Sequence, residues 1–472
     1  MAQNLEKKTE MILYQKPIWK GMLSLAIPVF LVNILKTLHD VVDGFFLGQV
    51  PGVDDGGTAL ATFMQSAVGI TWSVYFIFIS LGVGLSVAGN ALIGQYVGRK
   101  DPVGSKKYAS NVVIMSLSLG ILFNIILYIA TPILMRLMGA QGLTLDYSIV
   151  YLRTRSFEMP FLFLSYGFQA VRQASGDTVT PVAISAISII INIVFTWWMV
   201  SILNMGVFGA ALATVIGNIS MLPMIMYFFI KPKNGIKISL NKDAFDLNIM
   251  RHLMKVAIPA SMGQAIQAFG FVILNTFILA YGPAVSAAYY VGNRINSLVM
   301  FPVSAVSSIL AIYIAQNIGA NNIPRAKEAF RTCMTLVVSM MTIGALLIVP
   351  FRMTLVTLFN PDPVTVEYAA EYTLFLHLGL PLMGIFQTFL STFQGSGETK
   401  YSLYMALTRL WIIRIPLVLA FMYLTDLGPL GVWYAMLISN IIIVFVGWYF
   451  YTKVRFQPKI RSIIAEPEKV LV

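Results

Sequence analysis

Long apolar segments alternate with short polar loops along most of the chain, from Gly21 to Tyr451. A bilayer core of about 30 Å is crossed by about 20 apolar residues in an α-helix. The pattern therefore predicts an all-α polytopic membrane protein with twelve transmembrane helices. The predicted spans are residues 21–47, 57–98, 106–138, 143–170, 179–203, 207–230, 252–281, 284–318, 324–353, 364–394, 398–425 and 428–452.

The second predicted span is unusually long, because no charged residue occurs between Gly56 and Gly98. This segment is roughly twice the length that the bilayer core requires, so it is either two spans or one long helix bent near Gly82 and Gly84. Lysine and arginine concentrate in cytoplasmic loops. Only the count with one long helix places nearly all basic loops on one side of the membrane. The sequence therefore predicts one helix here, with cytoplasmic N- and C-termini.

The two halves of the chain repeat in order. The second and eighth spans end in IGQYVGRKDP and IAQNIGANNIP, and RQASGDT corresponds to TFQGSGET. Each half contains an even number of spans, so the two repeats run parallel and are related by an axis along the membrane normal. The matched positions, 221 or 222 residues apart, are Gln95 and Gln316, Gly98 and Gly319, Gly176 and Gly397, Gly209 and Gly431, and Asn218 and Asn440.

The repeat predicts two six-helix lobes, an N-lobe at residues 21–230 and a C-lobe at residues 252–452. Three cytoplasmic parts remain: an N-terminal segment at residues 1–20, an inter-lobe loop at 231–251 and a tail at 453–472. The polar N-terminus lacks the short apolar core of a signal peptide, so the first span is expected to stay attached in the inner (plasma) membrane. Folds with such repeats usually bind substrate between or within the halves and rock one lobe against the other.

Composition excludes several classes of protein. Hydrophobic residues make up 58% of the chain and charged residues 11%, with a mean hydropathy of +0.79, whereas soluble domains carry about 25% charged residues. The net charge of +12 arises in short loops between apolar segments, which argues against a nucleic-acid partner. A single cysteine, Cys333, excludes an internal disulfide. The sequence contains no GxxxxGKS/T, HExxH or GxSxG motif, so no enzymatic machinery is visible.

Charged residues inside the membrane are costly unless they are paired or lie in a wet cavity. In the first span, Lys36, Asp40 and Asp43 share one face of a helix, and His39 lies one turn before Asp43. Lys36 and Asp40 can neutralise each other as a structural pair, whereas Asp43 has no such obvious partner. A carboxylate in a partly dry cavity takes up a proton readily or holds a metal cation. Asp43 is therefore either a cation-coupling site, with Asp40 beside it, or a structural residue.

Uncharged polar residues and an ion pair also lie in the predicted spans. Asn192 and Thr196, one turn apart in the fifth span, and Thr214 in the sixth offer oxygen ligands that suit a hard cation beside a carboxylate. Such residues equally hold membrane helices together by hydrogen bonds. The fourth span also contains Arg153, Arg155 and Glu158, and Glu158 can face either Thr154 or Arg155, which favours a paired structural cluster.

The roles of the arginines within the spans and of the many aromatic and methionine residues stay open at this point. Arg294, Arg409 and Arg414 can snorkel to an interface, pair with other residues or contact anionic head groups. The chain contains 31 Phe, 21 Tyr, 7 Trp and 25 Met. A cavity lined by these residues suits flat, lipophilic cations, because aromatic faces attract cations and methionine packs adaptably. Lipid-facing helices use the same residues, so the composition alone does not decide.

Several motifs together resemble those of the multidrug and toxic compound extrusion (MATE) family, and they cover nearly the whole chain in the expected order. The resemblance implies two six-helix lobes and the export of lipophilic or cationic small molecules in exchange for H⁺ or Na⁺, without another cofactor. A transporter of this kind lies among membrane lipids and can work as a monomer. The motifs are IP…VVDGFFLG, IGQYVGRKDP, YLRTRSFEMPF, QAVRQASGDTVTP, NIV, GVFGAALAT, GNRI and RIP.

Carried over residue by residue, the cation site of the family falls on Asp43, Asn192 and Thr214, which would be the metal ligands if Na⁺ is the coupling ion. Two positions depart from the family's pattern. Thr196 stands where many members have an aspartate, and Gln267 stands where others have a glutamate. The acidic residue of the tenth span is also missing. Asp43 would then carry most of the coupling, and the shortage of carboxylates favours H⁺ over Na⁺.

Two other functions stay open at this point. A flippase for a lipid-linked saccharide or related amphiphile would move a phosphate group, which cations within the spans could bind, namely Lys36, Arg153, Arg155, Arg294, Arg409 and Arg414. A ring of inward-pointing arginines would favour this flippase, whereas a lone Asp43 in an aromatic cavity would favour cation efflux. A membrane enzyme or a non-transporting scaffold would need a nucleophile or metal site that the sequence does not show. The sequence favours efflux over both.

Overall fold

The computed structural model describes residues 2–53, 59–230, 236–239, 245–359 and 362–460, excluding the side chains of residues 2–7 and 40. Helices dominate this part of the chain. Two π-helical segments occur, Trp197–Ile202 after α7 and Thr408–Arg414 between α15 and α16. The helices are α1 Ala2–Tyr14, α2 Ile18–Gly48, α3 Leu60–Gly98, α4 Pro102–Leu137, α5 Gly142–Ser156, α6 Met159–Ala174, α7 Val179–Thr196, α8 Gly206–Ile230, α9 Leu247–Leu279, α10 Pro283–Gly319, α11 Ile323–Ile348, α12 Arg352–Phe359, α13 Pro363–Leu378, α14 Leu380–Gly395, α15 Thr399–Leu407, α16 Ile415–Leu424 and α17 Pro429–Lys453.

The predicted membrane spans correspond to helices of the structure. Within the described residues, 10 helices are long and apolar enough to cross a bilayer, and α13 with α14 forms an eleventh span that bends by 49°. The predicted fourth span is the pair α5 and α6, interrupted at Phe157 and Glu158 just before Pro160. The second span is a single continuous helix, α3, as the charge pattern predicts. The all-α polytopic fold is confirmed.

The internal repeat extends to backbone conformation and to packing. Lys100 and Asn321, which are 221 residues apart, have φ angles of 57° and 56°, and Gly176 and Gly397 have φ angles of 77° and 75°. These left-handed conformations are uncommon for residues other than glycine. Helices α3, α4 and α6 pack against one another, and α10, α11 and α14 do the same in the second half. The two halves therefore share one helix arrangement.

Two compact units divide the described part of the chain. The first unit contains residues 2–9 and 31–261, and the second contains residues 10–30 and 262–460. The division passes through α2 and through α9. In each helix it lies between the second and third residue after a proline, Pro28 in α2 and Pro259 in α9. Proline interrupts the hydrogen-bond ladder of a helix, so each division falls at a weak point of its helix.

Each unit has a buried core and local ties of its own. In the first unit, Leu152 and Phe163 lie in a fully buried apolar cluster. In the second unit, Arg325 Nε donates to the backbone oxygen of Ile12 at 3.0 Å, and its Nη2 donates to that of Gln15 at 2.7 Å. These bonds fasten the end of α1 and the turn after it to the start of α11.

Candidate functional site

Helix α2 presents a carboxylate with two polar neighbours. Asp43 Oδ2 lies 3.4 Å from His39 Nε2, one turn earlier on the same helix, and both side chains are less than one fifth exposed. Thr196, the last residue of α7, donates its hydroxyl hydrogen to Asp43 Oδ1 at 3.0 Å. The side chain of Asp40 lies outside the part of the chain that the structure describes, so its pairing with Lys36 stays a prediction.

A second polar contact joins α7 to α8. Asn192, one turn before Thr196, donates from Nδ2 to Thr214 Oγ1 at 3.1 Å, and the Thr214 hydroxyl donates to the backbone oxygen of Ala210. The side-chain oxygen of Asn192 is buried and has no hydrogen-bond partner among the described residues. The structure thus places Asn192 and Thr196 on one face of α7, where one contacts Thr214 and the other contacts Asp43.

Glycine at position 217 makes this approach of α7 and α8 possible. A β-carbon at Gly217 would lie 2.9 Å from Asn192 Cβ and 3.0 Å from the backbone oxygen of Ser188. Such distances are shorter than van der Waals contact, so a larger residue would push the helices apart. The small residue is thus part of what positions Asn192.

Glu158 is a buried carboxylate with more hydrogen-bond partners than the sequence indicates. Its carboxylate is fully buried at the break between α5 and α6, where it accepts a hydrogen bond from the Tyr75 hydroxyl and another from Asn218 Nδ2 at 2.7 Å. Arg155 Nη2 lies 2.7 Å away, which shows the predicted ion pair. Asn218 also donates to the backbone oxygen of Thr214. Asn218 therefore links Glu158 to Thr214. The repetition of this asparagine at Asn440 was the sequence signal that could have pointed to the contact.

The chemistry of these groups suits a proton more readily than a tightly bound metal. No group of three or more His, Cys, Asp and Glu side chains gathers as a metal site among the described residues. The predicted set of Asp43, Asn192 and Thr214 offers one carboxylate and two neutral oxygens, whereas hard cations take about six oxygen ligands in proteins. A carboxylate beside a histidine can exchange protons directly.

A different polar centre lies inside the second unit. Arg409 and Arg414, on the π-helical segment, are each 2% exposed and therefore do not snorkel. Both guanidinium groups donate to the side-chain oxygen of Asn440 on α17, Arg409 at 3.2 Å and Arg414 at 2.8 Å. No described ion pair includes either arginine. The second unit thus holds two buried cationic groups whose described hydrogen-bond partners are neutral.

The chain matches the MatE family model over residues 28–198 and 259–419. It is 26% identical to the probable multidrug resistance protein YoeA of Bacillus subtilis, covering 94% of this chain and 97% of that protein. It is 23% identical to the multidrug export protein MepA of Staphylococcus saprophyticus, covering 92% and 94% of the two chains.

Solved structures share the fold. An outward-facing multidrug resistance MATE family transporter of the MOP superfamily superposes with a TM-score of 0.84 at 22% identity, over 92% of this chain and 95% of that one. A MATE protein in complex with MaD3S superposes with a TM-score of 0.86 at 22% identity, over 95% and 98% of the chains.

Proposed function

The chain belongs to the MatE family, whose members are transporters and not enzymes, and on that premise we propose that it exports lipophilic and cationic small molecules by exchange for H⁺ or Na⁺. Membership confirms the resemblance carried by the motifs and the prediction that the protein is not an enzyme. Relatives named for multidrug resistance and export support the choice of cargo.

Asp43 is the coupling residue in this proposal, and its hydrogen bond from Thr196 is the observation that carries it. An ionised Asp43 attracts a cationic substrate or a coupling ion, whereas a protonated Asp43 no longer does. Binding of a proton and binding of the cargo therefore compete, which is the requirement for exchange. H⁺ is the favoured coupling ion because Asp43 has a histidine neighbour and because Thr196 and Gln267 stand where the family resemblance implies carboxylates. If Na⁺ is used instead, Asp43, Asn192 and Thr214 are the expected ligands.

The proposal also includes the membrane, the orientation of the termini and the oligomeric state. The relatives are bacterial, which supports the inner (plasma) membrane, and the basic loops place both termini in the cytoplasm. We expect a monomer surrounded by lipid whose two repeated halves open alternately to either side, as parallel-repeat transporters do.

The test uses proteoliposomes that contain the wild type, Asp43→Asn or Asp426→Asn. Asp426 lies in an exposed turn between α16 and α17 and controls for the loss of a carboxylate. A fluorescent organic cation is followed under an imposed pH gradient and then under an imposed Na⁺ gradient. The proposal expects transport by the wild type and by Asp426→Asn under one gradient, and none by Asp43→Asn. Transport by Asp43→Asn at the wild-type rate would refute the role of Asp43, and no cation transport by any protein would refute efflux.

A flippase for a lipid-linked saccharide or related amphiphile is the second candidate. The buried Arg409 and Arg414 favour it, since such a substrate carries phosphate. The same proteoliposomes, loaded with a fluorescent phospholipid-linked sugar, distinguish the two candidates, because a flippase makes that lipid accessible to an external quencher without any cation gradient.

A further inference from the structure

The arginine pair of the second unit is buried and has no counter-charge among the residues that the structure describes. Arg409 Nη2 donates to the sulfur of Met383 at 2.7 Å, and its guanidinium lies 4.5 Å from the ring centre of Phe386. Arg414 donates to Ser439 Oγ at 2.8 Å and to the backbone oxygen of Met436 at 3.3 Å. All of these partners are neutral. Arginine stays protonated in proteins, and two uncompensated buried charges are costly unless an anion joins them.

A cavity opens directly onto the two guanidinium groups. It encloses about 550 Å³ including its opening, and the centres of water molecules can occupy about 70 Å³ of it. A cavity needs roughly 10–15 Å³ of such space to hold one water molecule. The space therefore suits a small oxyanion, or the charged end of a larger molecule whose remainder fills the opening. The cavity is lined by Arg409, Arg414, Tyr289, Asn293, Tyr372 and Trp433 among others.

Two of the lining groups are buried hydrogen-bond donors without a partner in the described residues. They are Arg409 Nη1 and Trp433 Nε1. Buried polar groups are rarely left unpaired in proteins, so each is a position where a ligand oxygen would accept a hydrogen bond. The ring of Trp433 lies 4.4 Å from that of Tyr372 and is parallel to that of Tyr289, which provides an aromatic wall beside the charged end of the cavity.

The repeated asparagine has different hydrogen-bond roles in the two units. Asn218 and Asn440 are 222 residues apart, and so are Asn192 and Arg414. In the first unit, the Asn218 amide donates to the carboxylate of Glu158. In the second unit, the Asn440 oxygen accepts from both arginines. One repeated position therefore donates to a carboxylate that is paired with Arg155 in one half and accepts from two guanidinium groups without an ion pair among the described residues in the other.

We propose that the cavity at Arg409, Arg414 and Trp433 binds an oxyanion, namely a carboxylate, phosphate or sulfonate group, either as a free ion or as part of an aromatic molecule. Where the anion is part of a transported molecule, the inference rests on the proposed export function and extends its cargo to zwitterions and anions. Binding itself does not depend on a gradient or on Asp43, so the two proposals fail separately.

The experiment measures binding by the purified full-length chain in detergent micelles without any gradient. The probes are 2-naphthoate, its cationic counterpart 2-naphthylmethylammonium, and sodium sulfate, each titrated by calorimetry. The variants are Arg409→Gln, Arg414→Gln and Trp433→Phe, which removes the indole N–H and keeps a smaller aromatic ring. Arg294→Gln is the matched control, because Arg294 lies in the same unit but is exposed.

Arg409→Gln and Arg414→Gln are each expected to weaken naphthoate binding by roughly tenfold or more, and Trp433→Phe by a few-fold. Arg294→Gln should bind like the wild type, and the cationic probe should not displace naphthoate. Tighter binding of naphthoate than of sulfate assigns the site to an aromatic anion, and equal binding assigns it to a free ion.

Folding is controlled in the same samples. Removal of an uncompensated buried charge should leave thermal unfolding without ligand at or above the wild-type temperature, whereas a purely structural arginine would lower it. Naphthoate affinity within twofold of wild type in folded Arg409→Gln, or no binding of either anion by the wild type, would overturn the proposal.

Discussion

Thr196 donates a hydrogen bond to Asp43 across 3.0 Å and so links the end of α7 to α2. The Thr196 hydroxyl is a neutral donor at a position where the family resemblance implies an aspartate. The contact orients the Asp43 carboxylate and leaves its other oxygen to His39. This geometry is what makes one carboxylate sufficient in the proposed exchange.

Thr196→Val should reduce transport several-fold at a fixed gradient, because Val has the same shape but cannot donate to Asp43. Thr196→Ser keeps the hydroxyl and should retain most of the wild-type rate. Initial rates of organic-cation transport in proteoliposomes provide the measurement. Equal rates for Val and wild type would show that the hydrogen bond has no part in coupling.

Glu158→Gln should destabilise the protein by about 3–5 kcal/mol, because the Arg155 guanidinium would remain buried without its carboxylate. The double variant Arg155→Gln with Glu158→Gln removes both charges and should recover much of this loss. Equilibrium unfolding with increasing SDS in mixed micelles measures both variants, and the double-mutant cycle isolates the pair. Additive losses in the cycle would contradict a coupled pair.

Asp177, in the turn between α6 and α7, is expected to make the folded protein less stable in acid. Burial opposes ionisation of Asp177, but Arg172, the Thr180 hydroxyl and Lys8 outweigh it and hold the pKa of Asp177 below its ordinary value of 3.8. A depressed pKa contributes stability that is present above the unfolded value and is lost as pH falls through the folded value.

Thermal unfolding of wild type and Asp177→Asn between pH 7 and pH 2.5 tests this account. The variant should be less stable at pH 7, and the two curves should converge as the pH falls below about 4. A constant difference across the whole range would mean that the carboxylate charge is not what stabilises the turn.

Gly217→Ala should lower both stability, by about 1–3 kcal/mol, and transport, because the added β-carbon meets Asn192 and the backbone of Ser188. Gly69→Ala on α3 is the control, since a β-carbon at Gly69 meets nothing within 4 Å. Unfolding in mixed micelles and transport rates are compared for the two variants. Equal effects would show that crowding at Gly217 is not specific to the site.

The sequence predicted the fold well because the bilayer imposes it. The lengths of the apolar segments located the spans. The placement of basic loops on one side of the membrane predicted that Leu60–Gly98 is one helix. It could not show that Tyr75 and Asn218 meet at Glu158, since they lie 83 and 60 residues away and only packing joins them. Nor could it show that Arg409 faces inward, because a helix stripe does not reveal which side faces lipid.

The hydrogen bonds of Arg325 to Ile12 and Gln15 impose an order on biosynthesis. The partners are 313 and 310 residues apart. The ribosome adds about 5–20 residues per second, so Arg325 is synthesised on the order of 15–60 s after Ile12 and Gln15. The hydrogen bonds that hold Ile12 and Gln15 are therefore among the contacts of the second unit that form late in synthesis.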